Sequence, residues 1–226
     1  MDNDYLAVLD FLEAHGGDRY MAPELAEPEA KRDELTTLRN QAIEAIEKMH
    51  KRCEHCASCI NPHLIITSAK IWLRGDNQAI RDYFWVQLKR EDSIERPISI
   101  SIFAESRLRR EPYFYRISLE LEEKKVNHED YQAYKRFTEL PDPARFRYYV
   151  LEDASEHLWR FCDEAQNHIT QMHSSDNINE RVQPSYYIPR INHATNADRT
   201  AEEFEAQFLE GLRLLIPYYD HVLGCY

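Results

Sequence analysis

Two segments in the middle of the chain alternate apolar and polar residues with a period of two. The first, Pro97–Phe103, places three isoleucines on one side and two serines on the other, and the second is Tyr113–Leu121. Such alternation is typical of strands that bury one face and expose the other to water. The loops joining them to a third apolar segment, Tyr83–Leu88, are too short for a parallel crossover. The sequence therefore predicts an antiparallel meander over residues 83–121.

The apolar positions of these strands should form the core of the protein. Their isoleucine and leucine side chains are expected on one side of the sheet, while the serines of Pro97–Phe103 should face water on the other. The side chains that we expect to be almost fully buried are Ile100, Ile102, Ile117 and Leu119.

Apolar residues recur at helical spacing in three longer segments outside the meander. These predicted helices are Glu29–Lys51, Asp153–Met172 and Thr200–Val222, and the last begins with a Thr-x-x-Glu capping box. A strand over His63–Leu73 and a polar loop over residues 174–197 account for much of the rest. The sequence therefore predicts an α+β fold, in which an antiparallel or mixed sheet has helices packed against it.

Length and composition bear on the domain organisation of the chain, on its binding partners and on its cellular location. Residues 1–60 are expected to form an N-terminal helical segment and residues 61–226 an α+β domain, together one compact unit. The net charge of −12 argues against indiscriminate binding to nucleic acid or anionic membranes. Because no apolar run approaches the ~20 residues of a membrane helix, we expect no membrane partner. An acidic N-terminus and five cysteines fit a cytoplasmic location.

Cysteine and histidine are concentrated in one segment after the first long helix. Thiolates and imidazoles at these separations could close a tetrahedral zinc site. The candidate ligands are Cys53, Cys56, Cys59 and His63, with His50 as an alternative to His63. The second Cys-x-x-Cys pair of a zinc ribbon is missing, so reduced, inert cysteines at a helix-to-strand turn are the competing interpretation. We expect no cofactor other than this zinc ion.

Acidic residues at two strand ends offer an enzymatic alternative. Glu105 ends one predicted strand, and Glu122 with Lys124 ends the next. Two carboxylates and a lysine at neighbouring strand ends could hold Mg²⁺ and position a water molecule, as in restriction-type nucleases. Solvated acidic turns explain the same residues in a chain with 40 acidic side chains. A metal-dependent nuclease is therefore the second alternative function.

Aromatic and basic residues are interleaved along the predicted sheet and the late polar loop. Trp85 lies in the first strand of the meander, Tyr186 and Tyr187 lie in the loop, and three arginines follow Pro97–Phe103. Aromatic rings for stacking bases and arginines for phosphates are the groups of a nucleic-acid groove. Aromatic residues also favour strands, so the same rings could belong to the core.

Several short motifs resemble the N-terminal domains of McrB-type methylcytosine restriction proteins, which read modified DNA. The motifs are Phe84-Trp85-Val86, Pro97-Ile98-x-Ile100-x-Ile102-Phe103, Tyr115-x-Ile117-x-Leu119, Pro184-Ser185-Tyr186-Tyr187 and the closing helix Phe208–Tyr219. The likeness covers about Leu64 to Leu223. The chain departs from the family in having only Gly75 before the Trp strand, Phe84 in place of a proline, and an added cysteine cluster.

The resemblance implies a non-enzymatic DNA-recognition domain in prokaryotic defence. Trp85, Tyr186 and Tyr187 would then line a pocket for a base flipped out of the duplex. The flanking phosphates would contact Arg107, Arg109 and Arg110. Because the chain has no phosphate loop, an ATPase or nuclease would be a separate subunit. The alternative is a protein-interaction or adaptor subunit, which is consistent with the acidic net charge of −12.

Overall fold

The protein is represented by a computed structural model that describes residues 3–75, 78–106, 112–122, 126–141, 145–153, 158–162, 165–175, 177 and 181–225. Within these residues the helices are Asp4–His15 (α1), Glu29–Ile60 (α2), His128–Lys135 (α3), Ala165–Ser174 (α4) and Ala201–Leu223 (α5). The strands are Leu64–Ile66 (β1), Phe84–Arg90 (β2), Ile98–Glu105 (β3), Phe114–Leu121 (β4), Phe146–Asp153 (β5), Leu158–Cys162 (β6), Val182–Pro189 (β7), Ile191–Asn192 (β8) and Ala197–Asp198 (β9). Short 3-10 turns cover Pro23–Leu25, Glu91–Ser93 and Arg136–Glu139.

Seven strands form one sheet in the order β1-β2-β3-β4-β7-β5-β6, and every neighbouring pair is antiparallel. Strands β2, β3 and β4 are consecutive in the chain and adjacent in the sheet, which is the predicted meander. Strands β8 and β9 make a separate two-residue ladder before α5. The predicted α+β class is confirmed.

Helices α1, α2 and α5 pack on one side of the sheet, which we call the helix face. Ile100, Ile102, Ile117 and Leu119 all point to this side and are 0% exposed, so the predicted core is confirmed. Helix α5 approaches closely at Gly211, where a Cβ atom would lie 2.8 Å from the side chains of Ile117 and Tyr186. The absence of a side chain at this position therefore allows α5 to lie directly on strands β4 and β7.

The predicted ends of α5 are confirmed in detail. The Thr200 hydroxyl accepts a hydrogen bond from the amide of Glu203, and the Glu203 carboxylate accepts one from the amide of Thr200. Both bonds satisfy backbone donors that the first turn leaves unpaired. Gly224 ends the helix with φ of 76°, a left-handed conformation that glycine adopts at little cost.

The expectation that the serine side of β3 faces water is wrong. Ser99 and Ser101 are 0% exposed, although they point away from the helix face. Strand β3 is thus buried on both sides, and its alternation separates an apolar environment from a polar one. Alternation identifies two unlike faces, but it does not show that the polar face is wet.

The predicted helix over Asp153–Met172 is wrong in its first half. Residue 153 ends β5, residues 158–162 form β6, and only residues 165–174 are helical. Strand β6 pairs antiparallel with β5 from Tyr148 opposite Cys162 onward. Pairing with β5 therefore overrides the helical spacing of apolar residues in this segment, a tertiary effect that local periodicity does not contain.

The predicted polar loop over residues 174–197 contains a central strand of the sheet. Strand β7 lies between β4 and β5, and six of its eight residues are buried. Pro184 is unusual in a central strand, because proline cannot donate to a ladder. Pro184 pairs with Tyr148 of β5. On the other side, the pairing of β7 with β4 ends at Ser185, next to Pro184. Pro184 therefore has a ladder neighbour on one side only.

Two boundaries near the N-terminus also differ from expectation. Helix α2 continues to Ile60 rather than ending at Lys51, and the strand expected over His63–Leu73 is limited to β1. Side chains of α1 and α2 belong to the same apolar core as the sheet.

In the described part of the chain, no helix has a stretch that is both long and apolar enough to cross a bilayer.

Candidate functional site

The side of the sheet opposite the helices carries an unusual set of buried polar side chains, and we call it the polar face. It is formed by alternate residues of the four central strands β2, β3, β4 and β7. These residues are Trp85, Gln87, Lys89, Ser99, Ser101, Phe103, Glu105, Phe114, Arg116, Ser118, Glu120, Gln183, Ser185, Tyr187 and Pro189. Most of them are less than 5% exposed, so their polar atoms must find partners within the protein.

Strand register places four of these residues in one row across the sheet. Trp85 lies opposite Phe103, Phe103 lies opposite Arg116, and Arg116 lies opposite Tyr187. The next row is made of small or amide side chains, with Gln87, Ser101, Ser118 and Ser185 opposite one another. The three serines of this row are each 0% exposed, so other protein atoms cover them completely.

Hydrogen bonds connect the serines to one another and to larger side chains of the polar face. The Trp85 Nε1 donates to Ser101 Oγ at 3.4 Å, and Ser101 Oγ donates to the Glu120 carboxylate. Burial raises the pKa of Glu120, although the bond from Ser101 acts in the opposite direction. Ser118 and Ser185 share a hydrogen bond of 2.6 Å in the same row. Connected polar groups of this kind fix each other's positions.

Arg116 is the buried cation at the centre of the polar face. Its guanidinium lies 4.0 Å from the Phe103 ring and 4.1 Å from the Tyr149 ring, measured to the ring centroids. The side chain also donates to Glu105 at 2.5 Å and to Ser118 at 2.6 Å. Burial opposes the charge, but the Glu105 carboxylate outweighs it and raises the pKa of Arg116. The Glu105 charge therefore neutralises this arginine.

Aromatic rings at the two ends of the row remain partly exposed. Trp85 and Tyr187 are both partly accessible, and the Arg147 guanidinium lies 4.9 Å from the centroid of the Tyr187 ring. At the other end, Arg81 lies 5.6 Å from the centroid of the Tyr83 ring. Neither Arg81 nor Arg147 forms an ion pair with a carboxylate among the described residues. The polar face thus has a neutral floor and a cation at each end.

The structure separates Tyr186 from the other two predicted aromatic residues. Tyr186 points to the helix face, is 4% exposed, and donates from its hydroxyl to Gln207 and Glu210 of α5 at 2.8 Å each. Because consecutive strand residues point to opposite faces, Tyr186 and Tyr187 cannot line the same pocket. The prediction that Trp85, Tyr186 and Tyr187 line one pocket is therefore wrong in including Tyr186, and a base-binding role for Trp85 and Tyr187 stays a prediction.

The three arginines predicted to contact phosphates, Arg107, Arg109 and Arg110, lie outside the described residues. They belong to the connection between β3 and β4, which starts and ends beside the row that contains Phe103 and Arg116. Their contribution to DNA binding stays a prediction.

The predicted zinc ligands occupy one long helix and the turn that follows it. Cys53 and Cys56 face the core and are at most 1% exposed, whereas Cys59 is exposed. Burial raises the pKa of the Cys53 thiol, and it raises that of Cys56 to about 11. In the described part of the chain, no three His, Cys, Asp or Glu side chains are grouped as metal ligands.

The zinc hypothesis still predicts a simple experiment, because structural zinc contributes folding energy directly. Metal analysis of protein purified without chelator, followed by melting with and without a strong chelator, decides it. His63 is exposed and lies 3.8 Å from Glu91, while His50 is buried in α2.

The carboxylates of the nuclease alternative lie at opposite ends of the strand pair. Glu105 lies opposite Phe114 in the β3–β4 ladder, whereas Glu122 follows Leu121, which lies opposite Ile98. About seven residues of extended strand, roughly 23 Å, separate these ends. Glu122 instead pairs with Lys89 at 3.2 Å. Glu105 and Glu122 therefore do not form one metal site; Lys124 lies outside the described residues.

Sequence reasoning missed the residues that make the polar face one unit. Gln183 and Ser185 received no role because β7 was not recognised as a strand, and Ser118 and Glu120 of β4 received none because the polar side of that strand was expected to face water. The available signal was the repetition of serine at alternate positions in β3 and again in β4, at Ser118.

No protein family, no curated protein and no solved structure matches this chain. The resemblance to McrB-type domains therefore stays a prediction.

Proposed function

We propose that the chain is a non-enzymatic DNA-recognition module that binds bases on the polar face of its sheet. The observation that supports this most directly is the placement of Trp85 and Tyr187. Both rings are partly exposed, both point to the polar face, and they end the same cross-strand row. Aromatic side chains on a sheet are a common surface on which proteins stack bases.

Between these rings lies a buried polar network, which holds the two rings in fixed positions. Gln87 and Gln183 hydrogen-bond within the network, with Gln183 accepting from Arg116 at 3.1 Å and Gln87 donating to Ser99 at 3.1 Å. A modified base in a defence system is the ligand that the sequence resemblance implies, and an ATPase or nuclease would then be a separate subunit.

Binding of labelled DNA, with and without modified cytosine, tests the proposal by fluorescence anisotropy at two salt concentrations. Stacking one base contributes about 1–3 kcal/mol, so Trp85→Ala and Tyr187→Ala should each weaken binding roughly ten- to hundred-fold. Trp72→Ala is a matched control, because Trp72 is also partly buried but lies outside the sheet and packs edge-on against Tyr20. Circular dichroism must show that each variant is folded.

A protein-interaction or adaptor subunit is the second candidate, and a groove between α1 and α2 favours it. The groove is lined by apolar atoms of Phe11 and Ala45 and by the carboxylates of Asp10 and Glu44. If the wild-type protein binds no DNA at low salt, the DNA proposal is wrong and the adaptor function replaces it. A DNA-binding protein should instead lose affinity steeply as salt rises.

A further inference from the structure

Large apolar side chains are exposed around the middle of α2. Among the described residues, five large apolar side chains are exposed, and four of them lie in this region, namely Met21 (43%), Leu25 (71%), Ile43 (38%) and Ile71 (44%). Single exposed apolar side chains are normal on a protein surface, whereas several in one patch mark a binding surface. We call these four side chains the α2 patch.

The segment that precedes α2 folds back along the helix. Glu24 pairs with Arg39 of α2, with 3.6 Å between Oε1 and Nη1. Two residues after Glu24, the Ala26 carbonyl accepts a hydrogen bond from Arg32 Nε at 2.7 Å. Leu25 lies between these two anchors and is therefore held beside the first half of α2.

A second segment, between β1 and β2, lies along the following turns of α2. Lys70 pairs with Glu47 at 3.6 Å, which places the exposed isoleucine after Lys70 beside the helix. The Trp72 ring packs edge-on against Tyr20, with the ring centroids 4.8 Å apart. The two segments therefore meet next to Met21, so the four apolar side chains belong to one region of the surface.

The α2 patch has opposite charges on the two sides of Ile43. Arg39 lies one turn before Ile43 and Glu47 one turn after it, each about 6 Å away along the helix axis. Their ion pairs with Glu24 and Lys70 are exposed, so these pairs are weak and can exchange partners. The chain as a whole has a net charge of −12, but the two acidic and two basic side chains of these pairs cancel.

This pattern is complementary to itself under a two-fold rotation. Side chains four residues apart form a ridge on a helix, and two such ridges interlock when the helices cross at about 50°. With the rotation axis near Ile43, the Ile43 side chains of two copies are in contact, and Arg39 of each copy lies beside Glu47 of the other. Isologous contacts of this kind are the commonest in homo-oligomers.

We infer that the α2 patch is the contact surface of a homodimer, in which the α2 helices of two copies cross at Ile43. The apolar side chains then leave water together, which drives the association. The opposite charges of Arg39 and Glu47 fix the orientation of the two copies. This inference goes beyond the proposed function and is independent of it, because α2 lies on the helix face and the polar face is on the other side of the sheet.

Light scattering across a dilution series, without DNA, tests the inference. The wild type should have a mass about twice the 26.9 kDa of one chain and should dissociate on dilution. Ile43→Arg should raise the dissociation constant of the dimer about a hundredfold or more, because like charges then meet at the axis. Gln41→Arg is the matched control and should leave the dimer intact, since Gln41 is exposed on the side of α2 that lines the groove with α1.

Two charge reversals test how the copies are arranged. Arg39→Glu and Glu47→Arg should each give a monomer, because each variant places like charges side by side in both symmetry-related contacts. Mixing the two variants should restore the dimer, since every contact between the two different copies then joins opposite charges. An unfolded variant could not recover in this way, so the mixture also controls for misfolding.

The inference is overturned by a wild type that is monomeric at every concentration. It is also overturned by a dimer that Ile43→Arg leaves intact or that Gln41→Arg weakens equally, because another surface then forms the contact. A mixture of the two charge variants that stays monomeric rules out the crossing at Ile43. None of these results depends on DNA binding, which is measured separately by anisotropy.

Discussion

The two faces of the central sheet are both largely buried, but they are chemically opposite. On the helix face, Ile100 and Ile117 contact an apolar core that α5 completes, whereas on the polar face Ser101 and Arg116 belong to a hydrogen-bonded network. Burial of apolar area stabilises a fold without regard to direction. A buried polar network adds little net stability but requires defined partners. The helix face therefore supplies most of the stability of the sheet, whereas the polar face fixes the positions of its side chains through defined partners.

The largest expected effect comes from the helix face. Ile100→Ala removes a fully buried side chain between β2 and β4, so it should lower the free energy of unfolding by about 2–5 kcal/mol. Its neighbour on the other face, Ser101→Ala, should cost less, about 1 kcal/mol, because the hydrogen bonds it loses have modest net value. Urea denaturation of both variants measures the difference. Similar losses would contradict the division of roles between the faces.

An intermediate effect should follow from breaking the ion pair of the polar face. Glu105→Ala leaves the Arg116 guanidinium buried without its carboxylate, at 3% exposure for the residue. A buried charge without its partner is strongly destabilising, but Arg116 keeps its hydrogen bonds to Ser118 and Gln183. We therefore expect the free energy of unfolding to fall by about 2–3 kcal/mol.

A second variant shows whether the cost comes from charge or from packing. In Glu105→Ala with Arg116→Met, no charge is stranded, and a long apolar side chain still fills the space between Phe103 and Tyr149. The double variant should therefore be more stable than Glu105→Ala alone. The idea fails if the double variant is the less stable of the two in the same urea titration.

The smallest effect is a pH dependence with opposite signs from the two sides of the sheet. Burial, with the nearby charge of Lys70, lowers the pKa of His50 in α2 from 6.5 to about 4. The unfolded chain therefore binds a proton that the folded protein excludes. Stability from His50 is present above pH 6.5 and is lost as the pH falls toward about 4, by about 2 kcal/mol.

Glu120 on the polar face should act in the other direction. Burial raises its pKa, so the folded state holds the proton more tightly and gains stability as the pH falls through that raised value. The two contributions are measured by the urea midpoints of the wild type, His50→Gln and Glu120→Gln between pH 6.5 and about 4. We expect His50→Gln to remove part of the acid loss and Glu120→Gln to deepen it. Parallel pH profiles for all three proteins would show that neither group is linked to folding.

Local patterns predicted the parts of the fold that depend on nearby residues. The capping box of α5, the alternation of β3 and β4, and the helical stripe of α2 are each contained in a short stretch of sequence. Strands β6 and β7 were missed because pairing with β5 and β4 defines them, and those partners lie elsewhere in the chain. The candidate site was only half predicted for the same reason, since β7 decides that Tyr187 and not Tyr186 shares a face with Trp85.

The sequence by itself determined that the chain has an antiparallel meander, an apolar core and two unlike sides to its central strands, because side-chain direction alternates along any strand. Only the tertiary structure decided what lies on the second side. The insertion of β7 between β4 and β5 places Ser185, Gln183 and Tyr187 beside residues of β4 that are about 65 positions earlier in the chain. Register across four strands, which no local pattern encodes, converts scattered serines, arginines and aromatic rings into one connected surface.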